Sequence, residues 1–413
     1  MKPDPIRWRI LALLFLATVI NFVDRQTLSI VAPVLRDEFH MSNQQYGLIV
    51  ACFQLGMMLG ELPMGMLMDR WGVRRAFSFA IVWWSITSAL HGFANSVMQF
   101  GFLRFLMGTG ECGNWSGSTK TIAEWFPPEE RAFAGGLFSS GASVGAIVAG
   151  PLVGSIAHYW GWRAAFLVTG SLGFLWLAVW LALYRPPLNP FEEEAVASPM
   201  PWRGLLRFRR VWALALARLL EEPVLWFGIF WLPKYAVDVR GLSILHTGWL
   251  LTAPFLALDA GYIFGGWIST RLTKRGWTMQ RSKLAVMIVA ALLMVSSIPA
   301  AQSGSAAAFF AFISVVMFGH GAWFTNMLTM PADIAPRGMV GSLYGIAALG
   351  GGLGGMIFTE ATGIVVDRFH SYLPIFLAAG VMPILATVIL FVLGGGMQEL
   401  SPETLVRSSK CLD

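Results

Sequence analysis

Apolar residues in this chain run in long unbroken stretches, and short polar stretches separate them. Twelve such runs lie near 8–33, 44–68, 76–97, 99–124, 132–156, 163–184, 211–233, 247–270, 284–302, 306–334, 338–362 and 371–395. A helix needs about 20 apolar residues to cross a bilayer, so the pattern predicts twelve transmembrane helices in an all-α membrane protein. The first run follows Lys2 and Arg7 and imitates a secretion signal. No small-residue cleavage site follows it, and the polar run Asn21 to Arg25 continues the same helix, so it reads as the first span.

Residues 186–210 form the one long polar stretch, with Pro186, Pro187 and Pro190, then Glu192 to Glu194, then Arg203, Arg207, Arg209 and Arg210. They divide the chain into a bundle at 1–185, a cytoplasmic linker at 186–210, a second bundle at 211–395 and a cytoplasmic tail at 396–413. The halves resemble each other at an offset of 209 (319 − 110): Gly110, Ala123, Pro127, Gly136, Gly141, Gly145 and Gly154 match Gly319, Ala332, Pro336, Gly345, Gly350, Gly354 and Gly363. Glu124 meets Asp333 at the same offset, and an offset of 200 (265 − 65) pairs Gly65 with Gly265 and Arg75 with Arg275. Such a repeat predicts two pseudo-symmetric six-helix bundles with a site between them. The four-residue glycine repeats at Gly141 and Gly145, and at Gly350, Gly351, Gly354 and Gly355, read as close helix packing.

Composition narrows the class. Of 413 residues 56% are hydrophobic and 13% charged, against about 25% charged in an average soluble domain. The net charge of +6 could suggest a nucleic-acid partner, but its placement argues for a membrane instead. Arg36, Arg163, Lys234, Arg240 and Arg368 fall on external segments, and Arg25, Arg104, Lys120 and Arg218 lie within spans. Nearly all the others fall on the inside when both termini are cytoplasmic, which is the positive-inside bias of an inner (plasma) membrane protein. Cys52, Cys112 and Cys411 make no metal or disulfide spacing. Without a metal cluster, a cofactor motif or a serine–histidine pair, an enzyme is not expected, and neither is a cofactor.

Charges at membrane depth are expensive and mark pathways or proton relays. Span 1 carries Asn21, Asp24, Arg25 and Thr27; span 4 carries Arg104, Glu111, Trp115 and Lys120. Asp24 and Arg25 point about 100° apart on a helix, so they cannot simply cancel each other. Arg104 and Glu111 share a face but lie about 10 Å apart along the axis. Four charges on two helices predict a polar cavity where arginines hold an anion and carboxylates exchange a proton. Span 7 has Arg218, Glu221 and Glu222, span 8 Asp259, span 10 His320 and Asn326, and span 11 Glu360. Arg218 with Glu222, one turn apart, reads as a local ion pair. For His320 a structural hydrogen bond and proton handling both stay open. Asp333, beside Pro336, reads as fixing a helix end or a cytoplasmic gate. Trp115, Trp226, Trp231 and Trp323 fall within or close to spans, where an aromatic face suits a sugar ring or fills a core.

The stretch Gly65-Met66-Leu67-Met68-Asp69-Arg70-Trp71-Gly72-Val73-Arg74-Arg75 resembles the signature loop of major facilitator superfamily transporters. Further stretches are similar to the anion:cation symporters, and within them to the hexuronate transporter group. They are Asn21-Phe22-Val23-Asp24-Arg25, Arg104 with Gly108-Thr109-Gly110-Glu111, Glu124-Trp125-Phe126-Pro127, Phe230-Trp231-Leu232-Pro233-Lys234-Tyr235, and His320 with Asn326. The resemblance implies that Asp24 and Glu111 couple transport to protons, while Arg25 and Arg104 contact a sugar-acid carboxylate or tune those acids. Phe22 and Met57 stand where relatives carry tyrosine, and Ala142 where aldonate-specific relatives carry glutamine.

The expectation is therefore a monomeric, proton-coupled symporter that imports a small organic anion, a hexuronate or related sugar acid, by rocker-switch alternating access. Asn21, Arg25, Arg104, Trp115, Trp323 and Asn326 are the candidate substrate contacts, with His320 and Lys120 as further candidates. Asp69, Arg70, Arg74 and Arg75 are the candidate cytoplasmic latch. Two alternatives remain: transport of another carboxylate, dicarboxylic or aromatic, and a non-transporting receptor on the same fold. The short tails, below the about 50 residues of a small domain, argue against the receptor.

Overall fold

The structure, a computed structural model, describes residues 6–187, 202–242 and 244–395. Most of the expected linker and the whole expected tail lie outside the described residues. The first half contains α1 (Ile6–Phe39), α2 (Asn43–Trp71), α3 (Val73–Leu90), α4 (Val97–Trp125), α5 (Pro128–Ser139) and α6 (Gly141–Leu183). The second contains α7 (Trp202–Leu205), α8 (Arg209–Glu221), α9 (Pro223–Phe230), α10 (Leu232–Asp238), α11 (Ile244–Lys274) and α12 (Met279–Met294). It continues with α13 (Ser297–Gln302), α14 (Ala306–Thr329), α15 (Pro331–Ile334), α16 (Val340–Phe369) and α17 (Leu373–Gly394). Helix occupies all twelve expected intervals, and no strand occurs among the described residues.

Several helices run past the apolar intervals because polar side chains cap their ends. Ser42 and Gln45 form a reciprocal capping box at the start of α2, and Ser96, Thr278 and Ser305 cap α4, α12 and α14. Each satisfies backbone N–H groups that a helix start leaves without intrahelical partners. Two expected loops are far shorter than the polar pattern suggests. The signature stretch lies on helix, and its turn is confined to Gly72 at φ 74°. Spans 5 and 6 meet inside α6 at Gly161, φ 84°, a left-handed conformation that glycine adopts at no steric cost.

Span 7 is broken into α8, α9 and α10, with Pro223 and Pro233 at the helix starts. Proline lacks the N–H that would continue the preceding helix. Among the described residues, eight helical stretches are long and apolar enough to cross a membrane by length and composition. α4 falls outside that group because Arg104, Glu111 and a run of glycine, asparagine, serine and threonine lower its hydropathy.

Contacts divide the chain into two units. Unit 1 comprises Met1–Phe126, Leu137–Pro199 and Pro336–Gly345; unit 2 comprises Pro127–Gly136, Met200–Ala335 and Ile346–Asp413. In unit 1, α1 packs along α6 and α2 along α4, with α3 against both α4 and α6. An added Cβ at Gly56 would strike the Phe105 carbonyl, and one at Gly108 would strike the Phe53 carbonyl. Backbones approach this closely only where side chains are minimal, the packing that lipid favours. In unit 2, Gly261 and Gly321 repeat that crossing between α11 and α14. There Gly350 and Gly354 of α16 lie against the carbonyls of Ala215 and Leu219, and Gly355 against the Trp226 indole. The α16 glycine repeat therefore packs helices.

Candidate functional site

Unit 1 brings Asn21, Asp24, Arg25, Arg104 and Glu111 into one buried cluster. One turn of α1 places Asn21 beside Arg25, whose Nη2 donates to Asn21 Oδ1 at 3.2 Å. Arg25 reaches across to α4, where its Nε and Nη2 donate to Glu111 Oε2 at 3.0 and 2.9 Å. Asp24, rotated away, accepts instead from Ser88 Oγ of α3 at 2.8 Å. The partner of Arg25 is thus the glutamate of another helix and not its own neighbour. Arg104 Nη1 donates to the Arg25 carbonyl at 3.4 Å. Its Nε and Nη2 have no hydrogen-bond partner among the described residues, and neither do Asn21 Nδ2 and Glu111 Oε1. Arg104 is only 2% exposed and Glu111 is fully buried.

An unsatisfied buried guanidinium is costly and calls for an explanation. Apolar groups flank the charged ones. The Arg25 guanidinium lies 4.5 Å from the Phe22 ring centre and 5.1 Å from that of Phe53, and Arg104 lies 5.7 Å from Phe53. Met57 Sδ is 3.9 Å from Arg25 Nη2. Trp115, farther along α4, is half-buried and meets Phe138 edge-on at 5.3 Å.

Asp69, at the end of α2, accepts from the backbone N–H groups of Gly341 and Ser342 at 3.0 and 2.6 Å. These open α16, so the carboxylate sits where a helix N-terminus favours negative charge. Lys120 Nζ donates to Asp69 Oδ1 at 2.7 Å, with both side chains 4% exposed. The lysine considered for substrate contact is therefore engaged by Asp69. The arginines of the signature stretch are elsewhere: Arg70, Arg74 and Arg75 are exposed, and Arg74 donates to the Leu181 carbonyl at 2.8 Å. Asp69 is held by Lys120 and the start of α16, while the other candidate latch residues, Arg70, Arg74 and Arg75, are exposed.

In unit 2 several of the candidate polar groups are engaged within the unit. Trp323 is fully buried, and its indole N–H donates to Thr387 at 2.9 Å. Asn326 donates to the carbonyls of Ala322 and Gly265 at 2.8 and 3.4 Å and accepts from Ser269 at 2.5 Å. Both candidate contacts thus have their polar groups committed within this unit. Arg218 donates twice to Glu222, at 2.9 and 2.7 Å, the one-turn ion pair expected from spacing. His320 Nδ1 lies 2.6 Å from Glu221 Oε1, with both side chains fully buried. That pair joins residues 99 apart in sequence, and no spacing rule connects them. Asp333 joins Lys283 and Arg131, the latter at 3.4 Å, so it holds α15 to its surroundings within unit 2.

Residues 14–359 match the Major Facilitator Superfamily. The chain belongs to that superfamily. It is 26% identical to the D-galactonate transporter of Escherichia coli O6:H1 over 394 residues, 89% of this chain and 91% of that one. It is 29% identical to the hexuronate transporter of Bacillus subtilis (strain 168) over 393 residues, 92% of each. Against the probable galactarate/D-glucarate transporter GudP of the same strain it is 29% identical over 377 residues, 83% of this chain and 82% of that one.

Solved structures agree in fold. The human organic anion transporter MFSD10 superposes with a TM-score of 0.76 at 17% identity, covering 94% of this chain and all of that one. The proton:xylose symporter XylE gives 0.75 at 16% identity, covering 98% and 99%. The protein is thus a multi-pass membrane transporter of the major facilitator superfamily, and not an enzyme.

Proposed function

We propose that this transporter is a proton-coupled symporter for a small sugar-acid anion, with Asn21, Asp24, Arg25, Arg104 and Glu111 as its exchange site. The observation that carries this reading is Arg104, buried with two guanidinium nitrogens unpartnered by protein. Nε and one Nη form the fork that binds a carboxylate through two parallel charge-assisted hydrogen bonds. Relatives named for galactonate, hexuronate and galactarate/glucarate supply the substrate class.

Charge balance supplies the coupling. Asp24 and Glu111 formally offset Arg25 and Arg104, so the empty cluster is neutral. An incoming anion would leave it one negative charge in excess, which burial in low dielectric strongly disfavours. Protonation of Glu111 restores neutrality and frees Arg25 for the anion. When the anion leaves, Arg25 returns to Glu111 and the proton departs. Asp69, with Lys120 and the start of α16, would act as the latch that closes and opens during alternating access. The protein would work as a monomer in the inner membrane with both termini in the cytoplasm.

A second reading concerns the substrate's body. Phe22, Phe53 and Met57 surround the guanidinium of Arg25 where hydroxyl-bearing side chains would suit a sugar. This lining favours a less hydroxylated or aromatic carboxylate. Thermal-shift and proteoliposome uptake measurements with sugar acids, dicarboxylates and aromatic acids separate the two. Preferential stabilisation by hexuronates or aldonates supports the first reading, and preferential stabilisation by aromatic acids supports the second. Response to neutral sugars alone would contradict both.

A further inference from the structure

The Glu221–His320 pair lies outside the exchange site, beside the one-turn Arg218–Glu222 ion pair. Glu221 ends α8 and His320 sits within α14. Each has one atom on the pair, Oε1 and Nδ1, 2.6 Å apart. Their second atoms, Glu221 Oε2 and His320 Nε2, are buried without a hydrogen-bond partner among the described residues. A purely structural bond needs only one ionisable partner, and a hydroxyl or amide would serve the histidine as well. A carboxyl beside an imidazole at membrane depth is instead a pair whose charge changes by one whenever it gains or loses a proton.

The surroundings match that role. On α8, Arg218 and Glu222 neutralise each other, and the Phe324 ring of α14 lies between the two pairs, 5.7 Å from His320 and 5.3 Å from Arg218. From α11, Tyr262 lies within electrostatic reach of Asp259, Glu221, Glu222 and Arg218. α16 presents Gly351 against Glu222 and Arg218, and α17, packed on α8, contains no ionisable residue. Glu222, the next residue in sequence, keeps 11% side-chain exposure. Pro223 follows at once and opens α9, so a charge change on Glu221 acts at the junction of α8 and α9.

We propose that Glu221 and His320 form a second proton-carrying site, which binds and releases a proton during each transport cycle at the α8–α9 break. This rests on the symport reading above and adds one proton to the coupling at the exchange site. The test uses the full-length protein in proteoliposomes: the parent, Glu221→Gln, His320→Gln and Glu111→Gln. Both glutamines at the pair can keep a hydrogen bond, so folding and proton exchange are separated. Infrared difference spectra between about pH 8 and about pH 5 report carboxyl protonation in the range where carboxyl and imidazole groups exchange protons.

The expected result is a carboxyl band that disappears in Glu221→Gln, shifts in His320→Gln and persists in Glu111→Gln. Reversal potentials should then show one fewer proton per substrate in Glu221→Gln. An unchanged spectrum and stoichiometry in both pair variants would overturn the proposal and leave a fixed structural bond. Failure of the symport reading appears separately, as Glu111→Gln that still accumulates substrate uphill.

Discussion

The two units contain polar clusters of nearly the same composition, and the structure treats them differently. In unit 1 the charges come from different helices and remain incompletely satisfied: Arg25 crosses to Glu111, and Arg104 keeps two nitrogens without protein partners. In unit 2 Arg218 and Glu222 are one turn apart and engage each other, while Trp323 and Asn326 bond to neighbouring helices. A locally closed pair adds rigidity and offers nothing to an anion. A pair spread over two helices, with a spare guanidinium beside it, can exchange its partner. Membrane depth makes charges expensive in both places, and the unsatisfied remainder, at Arg104 in unit 1 and at Glu221 and His320 in unit 2, marks the groups able to take a further partner.

Removing one arginine from each cluster should give opposite signatures. Arg218→Ala leaves Glu222 buried without its partner, a loss of about 3–5 kcal/mol of stability, visible as a lower melting temperature and poor yield. Arg104→Ala removes a guanidinium whose one hydrogen bond among the described residues is to the Arg25 carbonyl, so its melting temperature should fall far less than that of Arg218→Ala. Its substrate affinity should fall roughly 10- to 100-fold, the size of one charge-assisted hydrogen bond. Calorimetric titration with the best-binding acid checks this, and equal affinity in parent and variant would remove Arg104 from the site.

Asp69→Asn should slow turnover about tenfold, because the amide loses charge-assisted bonds each worth at least about 1.5 kcal/mol. Substrate affinity should be unchanged, and cysteine accessibility from the cytoplasmic side should rise. Smaller still is Trp323→Phe, expected to cost about 1 kcal/mol through the lost bond to Thr387, with affinity unaltered. A clear drop in affinity there would return Trp323 to the substrate contacts. Arg70→Ala and Arg75→Ala should stay within about 0.5 kcal/mol of the parent in stability and transport at parental rates, since both side chains are exposed.

Period and spacing made much of this architecture legible. Twelve apolar runs located the helices, the about 100° rotation between adjacent residues separated Asp24 from Arg25, and one-turn spacing paired Arg218 with Glu222. Turns were misjudged in length, because a single glycine at Gly72 or Gly161 suffices where polar pattern suggests a loop. Partnerships between helices carry no period at all. Arg25 meets Glu111 across 86 residues, Lys120 meets Asp69 across 51 and His320 meets Glu221 across 99. Such pairs depend on how helices pack, and the aromatic and asparagine candidates of α14 were ambiguous for the same reason. A tryptophan at membrane depth can face a ligand or a neighbouring threonine, and only packing tells which.

The central claim is that an anion and a proton exchange at Arg25, Arg104 and Glu111. Glu111→Gln tests it most directly, because the amide approximates the protonated acid and keeps its size. In proteoliposomes this variant should retain substrate-for-substrate exchange near the parental rate while losing uphill accumulation under an imposed proton gradient. Uphill accumulation equal to the parent's, or accumulation by the parent that requires sodium, would contradict the account.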